Sequence, residues 1–86
     1  MRYRFISENH KQEFIAKGDE IENKDGVIEN TNQLVVDEID KEGLDTFYLT
    51  LVEENHYKVM NNDGNIVGDM YYHFRTDEIE NYLAIV

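Results

Sequence analysis

Cysteine and proline are absent from this chain, serine occurs once, at Ser7, and Lys and Arg together number only eight in 86 residues. Without thiols there is no disulfide to reinforce the fold, no thiolate nucleophile and no Cys ligand for zinc. That usage fits a reducing compartment. Ser7 stands outside any G-x-S-x-G context, so no serine-hydrolase elbow is present. The five glycines are isolated in turn-like contexts, which leaves no glycine-rich phosphate loop. No stretch reaches the roughly 18–20 apolar residues of a membrane-spanning helix. Met1-Arg2-Tyr3-Arg4-Phe5-Ile6 lacks the apolar run of a signal peptide. The expectation is a soluble, cytoplasmic protein forming one domain over residues 1–86. A domain this small has a thin stability margin.

What the chain has in excess is negative charge. Residues 1–17 carry Arg2, Arg4, Lys11 and Lys17 against Glu8 and Glu13. Residues 18–86 carry 17 acidic side chains against four basic ones, and the whole chain is at −11. Such a balance repels nucleic acid and anionic membrane and attracts basic protein surfaces. High charge is also a mark of disorder. Against disorder stand the 12% aromatic content, the missing proline and the patterned apolar clusters.

Arg2-Tyr3-Arg4-Phe5 alternates with period two, as in a half-buried strand. Over residues 7–17, Ser7 can cap a short helix ending at Gly18. Glu13–Lys17 running into Gly18-Asp19 reads alternatively as a strand entering a turn, and strand is the favoured reading. Lys24-Asp25-Gly26, Lys41-Glu42-Gly43 and Asn61-Asn62-Asp63-Gly64 are turn signals. Gln33–Ile39 is β-branched and strand-like. Thr46–Val52 is apolar on both faces, which suggests a central strand covered on both sides. Tyr57–Met60, Asn65–Val67 and Met70–Phe74 complete the strands. Ile79, Tyr82, Leu83 and Val86 then fall at i, i+3, i+4 and i+7, a helical stripe, with Thr76 or Asp77 as cap and Asp77/Glu80 at capping-box spacing. The fold class is α+β: a small, curved or barrel-like antiparallel β-sheet with a C-terminal α-helix packed on it.

Reactive constellations are scarce. An EF-hand frame starting at Glu38 places Asp40, Glu42 and Gly43 correctly but puts Leu49 at position 12, where a ligand is required. His10, His56 and His73 lack metal-ligand spacing. Adjacent carboxylates such as Asp19/Glu20, Asp37/Glu38 and Glu53/Glu54 point to opposite faces of a strand and form no dyad. Arg2 and Arg4 are too few for a phosphate-binding patch and are expected to pair with carboxylates. The expectation is no enzyme, no metal, no cofactor, no direct nucleic acid and no membrane partner.

The acidity is concentrated in three places: Asp19, Glu20 and Glu22 up to Asp25; Asp37, Glu38, Asp40, Glu42 and Asp45; and Asp77, Glu78 and Glu80. Each interleaves isoleucine with carboxylates, which anchors the backbone and turns charge outward. DNA displays a phosphate charge about every 1.7 Å of axis. A small rigid protein with a band of carboxylates can occupy a nucleic-acid-binding cleft in its place, the device of small phage-encoded inhibitors of host nucleases. The expected function is that of a small acidic non-enzymatic binding protein, a phage or mobile-element inhibitor acting on a basic protein surface by nucleic-acid mimicry. Its expected contact residues are Asp19, Glu20, Glu22, Asp37, Glu38, Asp40, Glu42 and Asp45, with Asp37–Glu42 presented on a rigid hairpin between apolar strands. The alternative is a structural or accessory domain that self-associates or binds through an apolar patch. Tyr48, Tyr57, Tyr71, Tyr72 and Tyr82 are candidates for that patch, as is Ile85.

Overall fold

The computed structural model describes residues 1–68 and 73–86. Strand β1 (Arg2–Phe5) follows its alternation: Tyr3 and Phe5 are half-buried, and Arg2 and Arg4 are exposed. Residues 8–16 form helix α1 (Glu8–Ala16), not the expected strand. The Ser7 hydroxyl accepts the His10 backbone N–H at 3.2 Å, and this cap decides the segment in favour of helix. Only Phe14 of α1 is fully buried, so the helix shows little of the apolar periodicity by which helices are read.

Strands β2 (Glu20–Glu22) and β3 (Ile28–Asn30) form a separate two-stranded hairpin. Its turn is the expected one, with the Asn23 amide oxygen accepting from Asp25 and Val27 backbone N–H groups and Gly26 at φ +77°. Asn30 then caps helix α2 (Thr31–Lys41) by accepting from the Gln33 N–H at 2.9 Å. This overturns the strand expected over Gln33–Ile39. The β-branched pair Val35-Val36 suggested extended backbone. The buried set, however, is Asn32, Val35, Val36 and Ile39, at i, i+3, i+4 and i+7. Two consecutive buried valines fit one side of a helix and cannot share one face of a strand.

After Gly43, at φ +68°, the chain enters β4 (Phe47–Glu53), turns through Asn55 and returns as β5 (His56–Met60). The Asn61–Gly64 turn is made as expected, but Asn65–Val67 contributes a single bridge, Met60 to Ile66, in place of a full strand. Strand β6 (His73–Phe74) pairs with β5. Met70, Tyr71 and Tyr72, also read as strand, lie outside the described residues. Helix α3 (Thr76–Tyr82) and strand β7 (Leu83–Ile85) complete the chain. The apolar stripe of the last helix is cut short: Leu83 and Val86 belong to the segment that pairs with β1. Two hydrogen bonds of 2.9 Å, Ile6 N–H to Tyr82 C=O and Val86 N–H to Arg2 C=O, hold that segment. The helix cap is also displaced. Arg75 is the N-cap, and its backbone N–H donates to the Glu78 carboxylate at 2.9 Å.

The five main strands form one antiparallel sheet in the order β6-β5-β4-β1-β7, with β6 and β7 as edges, so the sheet is not closed. One face of the sheet meets all three helices. Phe5, Phe47, Val59, Phe74 and Leu83 pack there with Phe14, Val35, Val36, Ile39 and Ile79. Phe74 is the hub, 4.9 Å from Phe14 and 6.0 Å from Phe47 between ring centroids. Strand β4 is central, but its far end is not covered on both sides: Leu51 is 58% and Val52 45% exposed. Among the described residues no helix is long and apolar enough to cross a membrane.

Candidate interaction surface

The eight carboxylates singled out from the sequence fall at the two ends of α2. Asp37, Glu38, Asp40 and Glu42 occupy its last turns and its C-cap, and Asp45 follows in the link to β4. They are on a helix end, not on the expected hairpin between strands. Asp37 and Asp40 share a flank with Gln33, whose amide donates to Asp37 at 2.8 Å. Glu38 is on the other flank and half-buried. At the opposite end, Asp19 is tied to the start of α2 through its backbone. Its N–H donates to the Thr31 hydroxyl at 3.0 Å, and its C=O accepts the Thr31 N–H at 2.8 Å. Glu20 and Glu22 are exposed on β2. An 11-residue helix is about 16 Å long, so the carboxylates form two acidic ends and not one continuous patch.

Little of this charge is neutralised within the chain. Asp40 meets the Lys11 ammonium at 3.4 Å, and Asp37 has Gln33. The other six have no side-chain partner among the described residues. Asp40 and Asp45 line a shallow cavity of about 240 Å³ together with Arg4 and Lys11, so the basic N-terminal segment is a neighbour of the acidic helix end. Among the described residues neither Arg2 nor Arg4 makes the carboxylate pair expected of it; for Arg2 the partner is a tyrosine. The Arg2 Nε donates to the Tyr48 hydroxyl at 3.0 Å, and its guanidinium lies over that ring.

The position of the α2 cluster is unfavourable for local stability. A helix C-terminus carries partial negative charge, and each carboxylate there costs a few tenths of a kcal/mol, up to about 1. Lys41 is the only basic residue in that last turn.

The third acidic segment behaves differently. Glu78, expected to face outward, is only 6% exposed. Its carboxylate accepts from the Arg75 backbone and from the Asn32 amide at 3.3 Å. Glu78 and Asn32 are the two buried polar residues among those described. Sequence reasoning missed both. The readable signal for Asn32 was its place on the Val35/Val36/Ile39 stripe; that for Glu78 was its spacing of three from the residue before the helix.

The histidines separate into a pair and a single. His56 and His73 lie on neighbouring strands with ring centroids 4.3 Å apart, and His56 meets Glu53 at 3.5 Å. His10 stands 2.6 Å from the Ser7 hydroxyl. Among the described residues no group of three or more His, Asp or Glu side chains is placed to hold a metal ion. Of the tyrosines considered for an apolar patch, Tyr48, Tyr57 and Tyr82 are half-buried, and Tyr82 packs on Phe14. Tyr71 and Tyr72 lie outside the described residues. No protein-family model, curated protein or solved structure matches the chain.

Proposed function

We propose that this chain is a non-enzymatic binding protein whose acidic α2 surface occupies a basic, nucleic-acid-binding cleft of a partner protein in the cytoplasm, as a phage or mobile-element inhibitor does. One observation carries the reading. Glu38, Asp40 and Glu42 crowd a helix end where the dipole opposes them, with Asp37 just behind, and among the described residues only Asp40 of the four has an ion pair. Residues that work against local stability concentrate at functional sites. The helix beneath them is anchored by Val35, Val36 and Ile39, all at most 3% exposed, so the charge is presented with little ordering cost on binding. The hairpin carboxylates Glu20 and Glu22 add a second charged contact at the far end. The test is capture of basic proteins from lysate at low and high salt, with competition by duplex DNA. Capture lost with salt and with DNA supports the reading. Salt-insensitive capture, or none, contradicts it.

A second reading, self-association, rests on edge strand β7. In its ladder with β1, Tyr82 and Val86 turn their hydrogen-bonding groups toward β1, so by alternation Leu83 and Ile85 turn theirs away. The Leu83 N–H is taken by Ile79 C=O. The Leu83 C=O and both Ile85 groups therefore face the open edge, beside an Ile85 side chain that is 61% exposed. No charge or proline guards this strand. Ile85→Pro removes the outward N–H and leaves the β1 ladder intact. A folded wild type of constant monomer mass across concentrations, unchanged by Ile85→Pro, contradicts this reading.

A further inference from the structure

We infer that the polar cavity where α1, α2 and α3 meet is a binding site for a small zwitterion, an α-amino acid of the size of glycine or alanine. The cavity is about 120 Å³ and is lined by Lys17, Asp19, Thr31, Asn32, Arg75 and Glu78, with His73 at its side. Its walls are fixed by the fold. Gly18 lets the end of α1 press against the start of α2, where a Cβ would collide with the Asn30 side chain and stand 2.9 Å from the Asn32 Cβ. The Asn30 amide donates to the Ile15 C=O at 2.8 Å, and the paired Asp19–Thr31 hydrogen bonds close the other side.

Two polar groups on the residues lining this cavity have no partner among the described residues, and they are of opposite kind. Asn32 is 92% buried by its 8% exposure. Its Nδ2 is committed to the Phe14 C=O at 2.7 Å and to the Glu78 carboxylate. That fixes the amide orientation and turns Oδ1 the other way. Among the described residues Oδ1 accepts no hydrogen bond and no fully buried side-chain oxygen lacks a partner, so Oδ1 keeps accessible surface beside the cavity that Asn32 lines. Lys17 is the second: its ammonium has no hydrogen bond or ion pair among the described residues. Glu78 is already satisfied by Arg75 and Asn32, with the Arg75 Nε at 3.5 Å.

The charge balance selects a dipole. Lys17, Arg75, Asp19 and Glu78 line the cavity together, and Arg75 also meets Asp77 at 3.7 Å, so groups of both signs face any ligand and a simple anion or cation is matched by only some of them. A zwitterion offers a partner to both. Its carboxylate meets Lys17 and Arg75, and its ammonium meets Asn32 Oδ1 and Asp19, with the Thr31 hydroxyl beside them. Size narrows the class. A cavity of about 150 Å³ takes benzene, with six heavy atoms, so about 120 Å³ suits glycine or alanine, with five or six. The hydrogen bonds exclude neutral apolar ligands, because these would leave Asn32 Oδ1 unsatisfied.

The test is a heteronuclear NMR titration of the full chain with glycine, alanine, leucine, acetate and methylammonium. Glycine and alanine are expected to give saturable shifts at Thr31, Asn32 and Arg75 in the millimolar range. Acetate, methylammonium and leucine should bind at least about tenfold more weakly. Lys17→Ala, an exposed change, should weaken glycine by up to about fivefold in a folded protein. Glycine binding should persist when the α2 carboxylates are neutralised, which separates this site from the partner-binding surface. No saturable shift with glycine or alanine up to about 50 mM, a response to acetate equal to that of glycine, or an unaffected Lys17→Ala variant overturns the assignment. The first result leaves water as the occupant, and the second a plain anion pocket.

Discussion

Gly18→Ala is expected to destabilise the fold, although two general effects favour it. The Gly18 backbone is not left-handed, so alanine can adopt it. Reduced unfolded-state entropy then contributes about 0.4–1 kcal/mol in the variant's favour. The new Cβ, however, overlaps the Asn30 amide and stands 2.9 Å from the Asn32 Cβ. Asn30 cannot swing aside without loss, because it accepts from Gln33 N–H at 2.9 Å and donates to Ile15 C=O at 2.8 Å. Breaking the cap costs about 1 kcal/mol and breaking the second bond about 1 more. The Asn32 Cβ sits on α2, so relieving its contact means moving the helix, at about 1–3 kcal/mol. The net expectation is a loss of about 2–4 kcal/mol. That corresponds to a fall in melting temperature of roughly 10–20 °C for a domain of this size. Urea unfolding followed by circular dichroism reads the first figure and a thermal scan the second. Gly43→Ala is the comparison, since nothing lies within 4 Å of its Cβ and only the φ of +68° opposes it; its cost is about 1–2 kcal/mol. A Gly18→Ala protein as stable as the wild type would refute the close approach of α1 and α2.

Glu78→Gln should cost about 1–3 kcal/mol in urea unfolding, because a buried carboxylate that accepts from the Arg75 backbone and the Asn32 amide becomes a neutral group with fewer acceptor sites. A gain in stability would mean that the Asn32–Glu78 pair does not form. Phe74→Ala, at a fully buried ring in contact with Phe5, Phe14 and Phe47, should cost about 3–5 kcal/mol and leave little folded protein in a thermal scan. A melting temperature within a few degrees of wild type would remove Phe74 from the centre of the core.

The fold class was legible because it depends on turns and on alternation. Arg2–Phe5, Phe47–Glu53 and the Asp-Gly turns carry period and turn chemistry in consecutive residues. The helices were harder to read. In α1 only Phe14 is buried, so no stripe announces the helix, and a hydroxyl cap at Ser7 tips the balance. In α2 the valines obscured the period, because β-branched residues favour strands locally while tertiary burial chose the helix. At the C-terminus, Leu83 and Val86 fit the helical period but pair with β1. That preference depends on a strand about 80 residues away and cannot be read locally. The candidate site was legible as composition, since the acidic clusters are visible at once. Its geometry was not, because assigning Asp37–Glu42 to a helix end required knowing that α2 exists. The Asn32–Glu78 and His56–His73 contacts join segments distant in sequence and have no local signature.

The central claim is that the carboxylates at the end of α2 serve binding and not folding, and the variant that neutralises them together tests it. Asp37→Asn, Glu38→Gln, Asp40→Asn and Glu42→Gln combined remove four negative charges, three of them at the helix end where the dipole disfavours them, and one exposed ion pair, Asp40–Lys11. The variant should melt at or above the wild-type temperature. Each exposed ion pair to a partner contributes about 0–1 kcal/mol, so single changes should be small. The four together should weaken binding by about 2 kcal/mol, roughly 30-fold, at low salt. The measurement is the dissociation constant of wild type and variant for the protein captured at low salt, set beside their thermal midpoints. Weaker binding with undiminished stability is the predicted result. Unchanged affinity in a folded variant, or a fall in stability that accounts for the loss of binding, would contradict it.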